Sequence, residues 1–393
     1  TTLRFVAGAA GIPGVRLSLI SQDPVERLSP QLRASLASHW RVDNGLDPNQ
    51  LAQAAKGLAQ KLGPPVAMFG PLEHLQVPLA EARAALGIDG LSPEAANNFR
   101  DKARMKDVLT DAGVPCARHT LAETAQEAIS FAEKTGFPLV AKPPAGAGGK
   151  RTFRLNNAEE LKTMLGRYPP NRLDPTMLEE FVTGDEFSFD SVMIKGKPLW
   201  YSISSYTPSP LEVLENPWIQ WTVFLPRDVS GEEFAPIVDA GFKALKALGL
   251  STGLSHMEWF RLKNGNIAIS EVGARPPGAQ FTSLLSWAHD IDFYRAWPRL
   301  MIFGDFDPPP RRYAVGAAYF RGQGRGRVKA IYGLDEAQKR YGHMVVEAKL
   351  PRAGQSPSDS YEGDGYVIFR HPESDVVEDA LRNVVRLVRV ELS

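Results

Sequence analysis

Two glutamates, Glu258 and Glu271, stand where a hairpin would set them face to face. Residues 256–262 alternate as a strand does, 267–272 form a second strand, and Lys263, Asn264, Gly265 and Asn266 lie between. Asn-Gly is the strongest short hairpin signal, because both residues tolerate positive φ. A two-residue loop at Asn264-Gly265 predicts that Leu262 faces Ile267, Phe260 faces Ile269 and Glu258 faces Glu271. These side chains share one face, and the apolar ones direct it at a core. The carboxylates at its open end lie ~5 Å apart at Cβ. Like charges so placed repel, so a half-buried pair needs a proton or a cation between them. Hard oxygen donors suit a divalent metal ion. Arg275 follows Glu271 by four residues, within Glu271-Val-Gly-Ala-Arg-Pro-Pro-Gly. The plainer rival is a surface hairpin with a chance acidic pair.

A second feature is Lys142, at the end of the strand 138–142 and directly before Pro143-Pro-Ala-Gly-Ala-Gly-Gly-Lys150. Glycines let backbone N–H groups cradle phosphate oxygens, and a lysine at the base supplies a point charge. The spacing is not that of a P-loop, since position 144 is Pro, nor that of the dinucleotide fingerprint. A flexible hairpin tip is the alternative. Leu178-Glu179-Glu180-Phe181-Val182 runs through a turn to Glu186, an arrangement suited to a purine on the backbone and a ribose on a carboxylate. His256 lies on the face of Glu258, within reach of phosphate or substrate. Glu73 follows a strand end, where α/β sheets bind ligands, and suits a substrate ammonium group. Trp200, Trp218 and Trp221 flank Tyr206 and either line an apolar substrate pocket or fill a core.

These residues sit in a chain of 393, enough for two or three subdomains. Lys+Arg and Asp+Glu number 45 each, so no global field draws in nucleic acid or a membrane surface. The single cysteine, Cys116, excludes an intramolecular disulfide and fits a reducing cytosol, so a cytoplasmic location is expected. No apolar run reaches the ~20 residues of a membrane span. Arg321-Gly-Gln-Gly-Arg-Gly-Arg327 reads as a glycine-rich turn.

The elements read as follows. Residues 1–97 form a parallel α/β unit with a strand at 66–69 and a helix at 79–86 ended by Gly87. Residues 98–178 begin with an amphipathic helix at 98–112, basic on one face, and continue with a helix at 122–135, the strand 138–142, a helix at 158–165 and a strand at 177–182. Residues 179–310 are dominated by strands, with helices at 232–248 and about 281–300. Pro308-Pro309-Pro310 marks a boundary, and 311–393 form a strand-rich extension ending in a helix at 374–388.

In chain order, Asp101-Lys102 on a helix, Lys142 with its glycine loop, Glu179-Glu180-Phe181-Val182 with Glu186, Glu258, and Glu271 with Arg275 resemble the ATP-grasp superfamily over residues 65–300. Within it the chain looks most like the L-amino-acid (dipeptide) branch of the carboxylate–amine ligases. The resemblance implies an α/β (α+β) ATP-grasp fold, with a parallel N-terminal domain, a small ATP lid subdomain and a strand-rich C-terminal domain. It implies ATP and Mg2+ or Mn2+, small-molecule carboxylate and amine substrates, and release of ADP and phosphate. Lys102 and Lys142 would hold phosphates under a lid containing Gly148 and Gly149. The segment from Glu179 to Val182, through Phe181, would seat the nucleotide, with the backbone of Glu180 and Val182 reading adenine and Glu186 the ribose. Glu258 and Glu271 would bind the metal, and Arg275 would neutralise the acyl phosphate. The chain departs at Gly273, where many relatives carry an Asn that completes the metal shell. Rival expectations are an ATP-grasp enzyme of nucleotide or carbamoyl-type metabolism, or an inactive ATP-binding module. A homodimer is the expected assembly.

Overall fold

The computed structural model describes residues 2–146, 151–358 and 360–393. Its centre is an antiparallel sheet of eight strands, in the order Ile267–Gly273, Gly253–Leu262, Gly184–Ile194, Lys197–Thr207, Trp221–Leu225, Ala314–Phe320, Gly365–His371 and Val345–Lys349. A smaller sheet of four strands faces its first edge, in the order His119–Ala122, Thr176–Glu180, Leu139–Lys142 and Phe153–Leu155. Alternation along the strand Gly253–Leu262 sends Met257 and Trp259 into a core closed by Met105, Leu109, Leu245 and Leu248 from two helices. The opposite face of that strand carries His256, Glu258 and Phe260 and borders the cavity described below.

The expected strand at 66–69 is absent. That stretch is irregular and Val66 is 80% exposed. The parallel pairing near the N-terminus is instead Ser18–Ser21 with Ser38–Arg41. The helix Gln76–Leu86 ends, as expected, at Gly87, whose φ of 66° is left-handed. The expected helix at 98–112 is broken in two, Pro93–Arg100 and Lys102–Asp111. Asp101 is extended at the break, and its carboxylate accepts from the N–H groups of Ala103 and Arg104 at 2.9 and 3.1 Å. The short polar side chain caps a new helix rather than continuing the old one. The expected helix at 281–300 likewise divides into Phe281–His289 and Phe293–Phe303 around Asp290, which has positive φ.

The extension after residue 310 is woven into the main sheet. Its strand Ala314–Phe320 pairs with Trp221–Leu225 across the proline boundary. The helix Ser374–Leu387 covers this part of the sheet through Val377, Ala380, Leu381 and Val384, and a last strand, Arg389–Leu392, follows it.

Candidate active site

The carboxylate hairpin has a longer loop than Asn-Gly predicts. Leu262 N–H bonds to Asn266 O at 2.8 Å, so Lys263, Asn264 and Gly265 form a three-residue loop, with Gly265 at φ 82°. Phe260 therefore faces Ala268, not Ile269, and Ile267 pairs with Arg261. A bulge between Glu258 and Trp259 on one side, and Ile269 and Glu271 on the other, leaves Ser270 as the extra residue and restores the opposition of Glu258 and Glu271. The expected grouping on one face is corrected accordingly. Ile267 and Ile269 lie in the core with Trp259, while the carboxylates face the cavity.

Ladder register extends this face sideways. His256 pairs with Asp190, Glu258 with Ser188, and Phe260 with Glu186. In the next strand Asp190 pairs with Ser202 and Ser188 with Ser204. His256 Nδ1 lies 2.7 Å from Asp190 Oδ1, and Ser188 Oγ donates to Asp190 Oδ2 at 3.0 Å. Burial works against the imidazolium, but the Asp190 charge outweighs it and raises the His256 pKa. Arg311 adds a cation behind Asp190 and bonds to Ser202.

The lysines come from the opposite wall. The cap at Asp101 makes Lys102 the first residue of its helix, and Lys102 Nζ lies 2.7 Å from Glu271 Oε1. Lys142 Nζ meets Glu179 Oε1 at 2.6 Å. One turn after Lys102, fully buried Lys106 sits 3.6 Å from the other oxygen of Glu179. Desolvation lowers the Lys106 pKa despite that partner. Desolvation also favours a neutral Glu271, yet Lys102 and Lys142 prevail and hold its pKa at about 2. Glu258 is not in ion-pair contact with a lysine among the described residues, and His256, Lys102 and Lys142 offset its burial only in part. Burial and the Glu271 charge push its pKa up. Glu186, 8% exposed, is raised well above the carboxylate range by burial and then by Glu258. The facing pair is thus electrostatically unequal, with one member neutralised by lysine and the other strained.

A cavity of about 320 Å³ joins these groups. Lys102, Lys142, Glu179, Glu180, Phe181, Val182, Glu186, His256, Glu258, Glu271, Arg275 and Glu73 all border it, so the residues singled out in the sequence converge from distant segments. Gly148 and Gly149 lie outside the described residues. Details differ from expectation. Lys102 and Lys142 already hold carboxylates. The Glu180 carboxylate turns to Arg118, at 2.8 Å from its N–H and 2.6 Å from Nε. The Glu180 N–H bonds to Arg118 O, so it is not free to read a base. Glu73 Oε2 lies 2.5 Å from Arg275 Nε and is engaged there. Of the tryptophans, Trp221 borders the cavity, Trp200 packs in the core against Phe293 and Phe306, and Trp218 is 54% exposed.

Several residues in or behind the cavity wall escaped the sequence reading. Lys106 is signalled by its i+4 spacing from Lys102 on one helix face. Asp190 is signalled by period two from Glu186 once its strand is paired with His256. Tyr361 reaches the cavity from the C-terminal extension, and no local signal marks it.

Among the described residues no three His, Cys, Asp or Glu side chains cluster as a metal site. The donor set that fits a divalent ion is the pair Glu258 and Glu271, both oxygen ligands, one with a raised pKa that a cation would relieve.

Two sheets enclose the cavity lined by lysines and carboxylates, and residues 107–284 match the family model for the ATP-grasp domain. The chain is 23% identical over 291 residues to an L-arginine-specific L-amino acid ligase of Bacillus subtilis, covering 71% of this chain and 70% of that relative. It is 25% identical over 256 residues to an alanine–anticapsin ligase of Bacillus subtilis (strain 168), covering 59% of this chain but 53% of the relative. In fold it matches the crystal structure of an L-amino acid ligase from Bacillus licheniformis with a TM-score of 0.78 at 20% identity, covering 100% of this chain and 96% of that one.

Proposed function

We propose that the chain is an ATP-dependent carboxylate–amine ligase. A carboxylate attacks the terminal phosphate of ATP, giving ADP and an acyl phosphate. An amine then attacks the acyl carbon, an amide C–N bond forms and phosphate leaves. The observation that carries this reading is the convergence of Glu258, Glu271, Lys102, Lys142 and Arg275 on one cavity. A carboxylate is a poor electrophile because its leaving group would be oxide. Phosphorylation supplies a leaving group, and that transfer needs positioning and charge neutralisation rather than a protein nucleophile. Cys116 has no part in this, since its thiol lies beside Thr110 and the Lys106 carbonyl.

The reading assigns individual roles as follows. Lys142, fixed by Glu179 and backed by buried Lys106, presents a cation to nucleotide phosphate. Lys102 holds Glu271 until phosphate or metal competes for one of them. Glu258 and Glu271 would hold Mg2+ or Mn2+, which when bound screens phosphate charge. Arg275, oriented by Glu73, faces the carbonyl oxygen that gains charge. His256, whose pKa is raised by Asp190, can add a second positive group. Phe181 and the backbone of Val182 and Glu180 (through its carbonyl) line the adenine side, and Glu186 lies toward the ribose. The carboxylate is read as that of an amino acid, in keeping with the named relatives. The divisions 1–97, 98–178, 179–310 and 311–393 are proposed as folding units, although the main sheet runs through the last boundary. A homodimer is the proposed assembly.

The test is ADP release in the presence of ATP, Mg2+ and amino acids supplied singly and in pairs. Release dependent on both a carboxylate and an amine, with the amide found by mass spectrometry, is expected. Nucleotide binding without turnover on any pair would overturn the reading.

A further inference from the structure

The far end of the cavity carries information that charge motifs do not. From His256 an unbroken run of rings continues along the cavity wall. His256 contacts Phe281 at 5.4 Å between centroids, Phe281 contacts Tyr206 at 5.9 Å, Tyr206 contacts Trp221 at 6.3 Å, and Trp221 contacts Tyr361 at 6.0 Å. The short helix Pro210–Glu215 lays Leu211 and Leu214 over the same space. The acidic residues of this helix, Glu212 and Glu215, are exposed and do not border the cavity.

This wall is fixed. Trp221 is 2% exposed, stacks on Tyr319 at 4.5 Å, and spends its indole N–H on Tyr361 O at 2.7 Å. Burial, and then the nearby carboxylate charges, push the Tyr206 and Tyr361 pKa values up, so both phenols stay neutral. Of the charged groups that border the cavity, Lys102, Lys142, Glu179, Glu271, Arg275 and Glu73 are committed to one another in ion pairs, while Glu186 and Glu258, which the ligase reading assigns to ribose and metal, have no ion-pair partner among the described residues. Among the described residues, the rings and leucines that form this end carry no charged group themselves. Burying an unpaired guanidinium, ammonium or carboxylate there is strongly unfavourable, whereas an apolar side chain of leucine or phenylalanine size is favoured by leaving water.

We infer that this end is the side-chain pocket for one of the two ligase substrates, and that it selects an apolar amino acid with an aliphatic or aromatic side chain over a charged one. The inference rests on the ligase reading and names its substrate class. It also separates this chain from the relative named as arginine-specific.

The experiment is a pairwise panel of L-amino acids, read by ADP release and by mass of the product, on the wild type and on Leu214→Glu. Leu214 is half-buried on the short helix and outside the phosphate machinery, so the fold can be checked by unchanged affinity for a non-hydrolysable ATP analogue. In the wild type, every productive pair is expected to contain at least one apolar member, with kcat/KM for leucine or phenylalanine at least ~10-fold above arginine, lysine or aspartate. In Leu214→Glu, use of the apolar member should fall at least ~10-fold and lysine or arginine should gain relative to it. Turnover on pairs made only of charged residues, or an unchanged preference in the variant, would overturn the inference and leave the ligase reading standing. Absence of ADP release with every pair would overturn both.

Discussion

At one end of the cavity Lys102, Lys106 and Lys142 are set against Glu179, Glu258 and Glu271, while at the other Leu211, Leu214, Trp221 and Phe281 form an apolar wall that meets the charged groups at His256. The charged end is under electrostatic tension. Three lysines partly neutralise the carboxylates, and Glu258 is left over, its pKa raised by burial and by Glu271. The apolar end is at rest, its rings packed and its indole N–H satisfied. Chemistry common to a superfamily belongs where charge must be redistributed during phosphoryl transfer. Discrimination between substrates belongs where shape and desolvation decide, because a packed wall rejects what it cannot solvate.

The contrast can be broken hardest at Glu271. Glu271→Ala removes a proposed metal ligand and strands nearly buried Lys102, so turnover should fall at least ~100-fold. Stability should fall as well, by about 2 kcal/mol after allowance for the partial exposure of Glu271. Urea denaturation and ADP release would check both, and retention of a tenth of turnover would count against the assignment. Next in size is Arg275→Lys. It keeps the charge but loses the planar fork held by Glu73, so kcat should drop roughly 10–100-fold while affinity for an ATP analogue stays within about threefold. Equal losses in both would place Arg275 on the nucleotide instead. A third change sharpens the comparison from the other end. Leu211→Ala should raise KM for the apolar amino acid by about 5-fold and leave KM for ATP unchanged.

The smallest expected effect distinguishes the two facing glutamates. The Glu258 pKa is raised in the folded state, so the folded protein holds its proton more tightly than the unfolded chain does. Ionised Glu258 therefore costs stability as pH rises above the ordinary carboxylate value of 4.5. In metal-free buffer at neutral pH, Glu258→Gln should raise Tm by roughly 1–3 °C. The gain should vanish in acid, where wild-type Glu258 is protonated. Thermal scans across pH would show it, and a fall in Tm at neutral pH would mean that Glu258 has an unrecognised partner. Glu271 has the opposite sign. Held at about 2, its contribution is complete above 4.5 and disappears as pH falls toward 2.

The sequence was most legible where charge recurs at fixed spacing. Lys142, Glu258, Glu271 and Arg275 could be picked out because ionisable groups at strand ends and turns are costly to place by accident, whereas Lys102, at a helix start, stood out only through the family resemblance. Trp221 and Phe281 could not, since an aromatic residue in a strand or at a helix start looks the same whether its neighbour is core or substrate. Tyr361 was hidden for a topological reason. The extension was read as a separate unit, whereas Ala314–Phe320 pairs across the proline run and brings the tyrosine back to the cavity. The break at Asp101 was missed because the helical pattern continues through it, and only the competition of its carboxylate for backbone N–H groups decides the matter.

The bulged residue Ser270 has a consequence for how this hairpin tolerates insertions and deletions. Along a strand, facing is a matter of parity, and Ser270 is the residue that corrects the parity disturbed by the three-residue turn. Removing Ser270 alone would close the bulge, and Glu271, now directly after Ile269, would still stand opposite Glu258. Shortening the turn by one residue while Leu262 stays bonded to Asn266 would leave the same pairing. Single length changes at the tip or at the bulge are therefore absorbed, whereas one inside the paired segments 259–261 and 267–269 turns apolar side chains from the core toward the cavity.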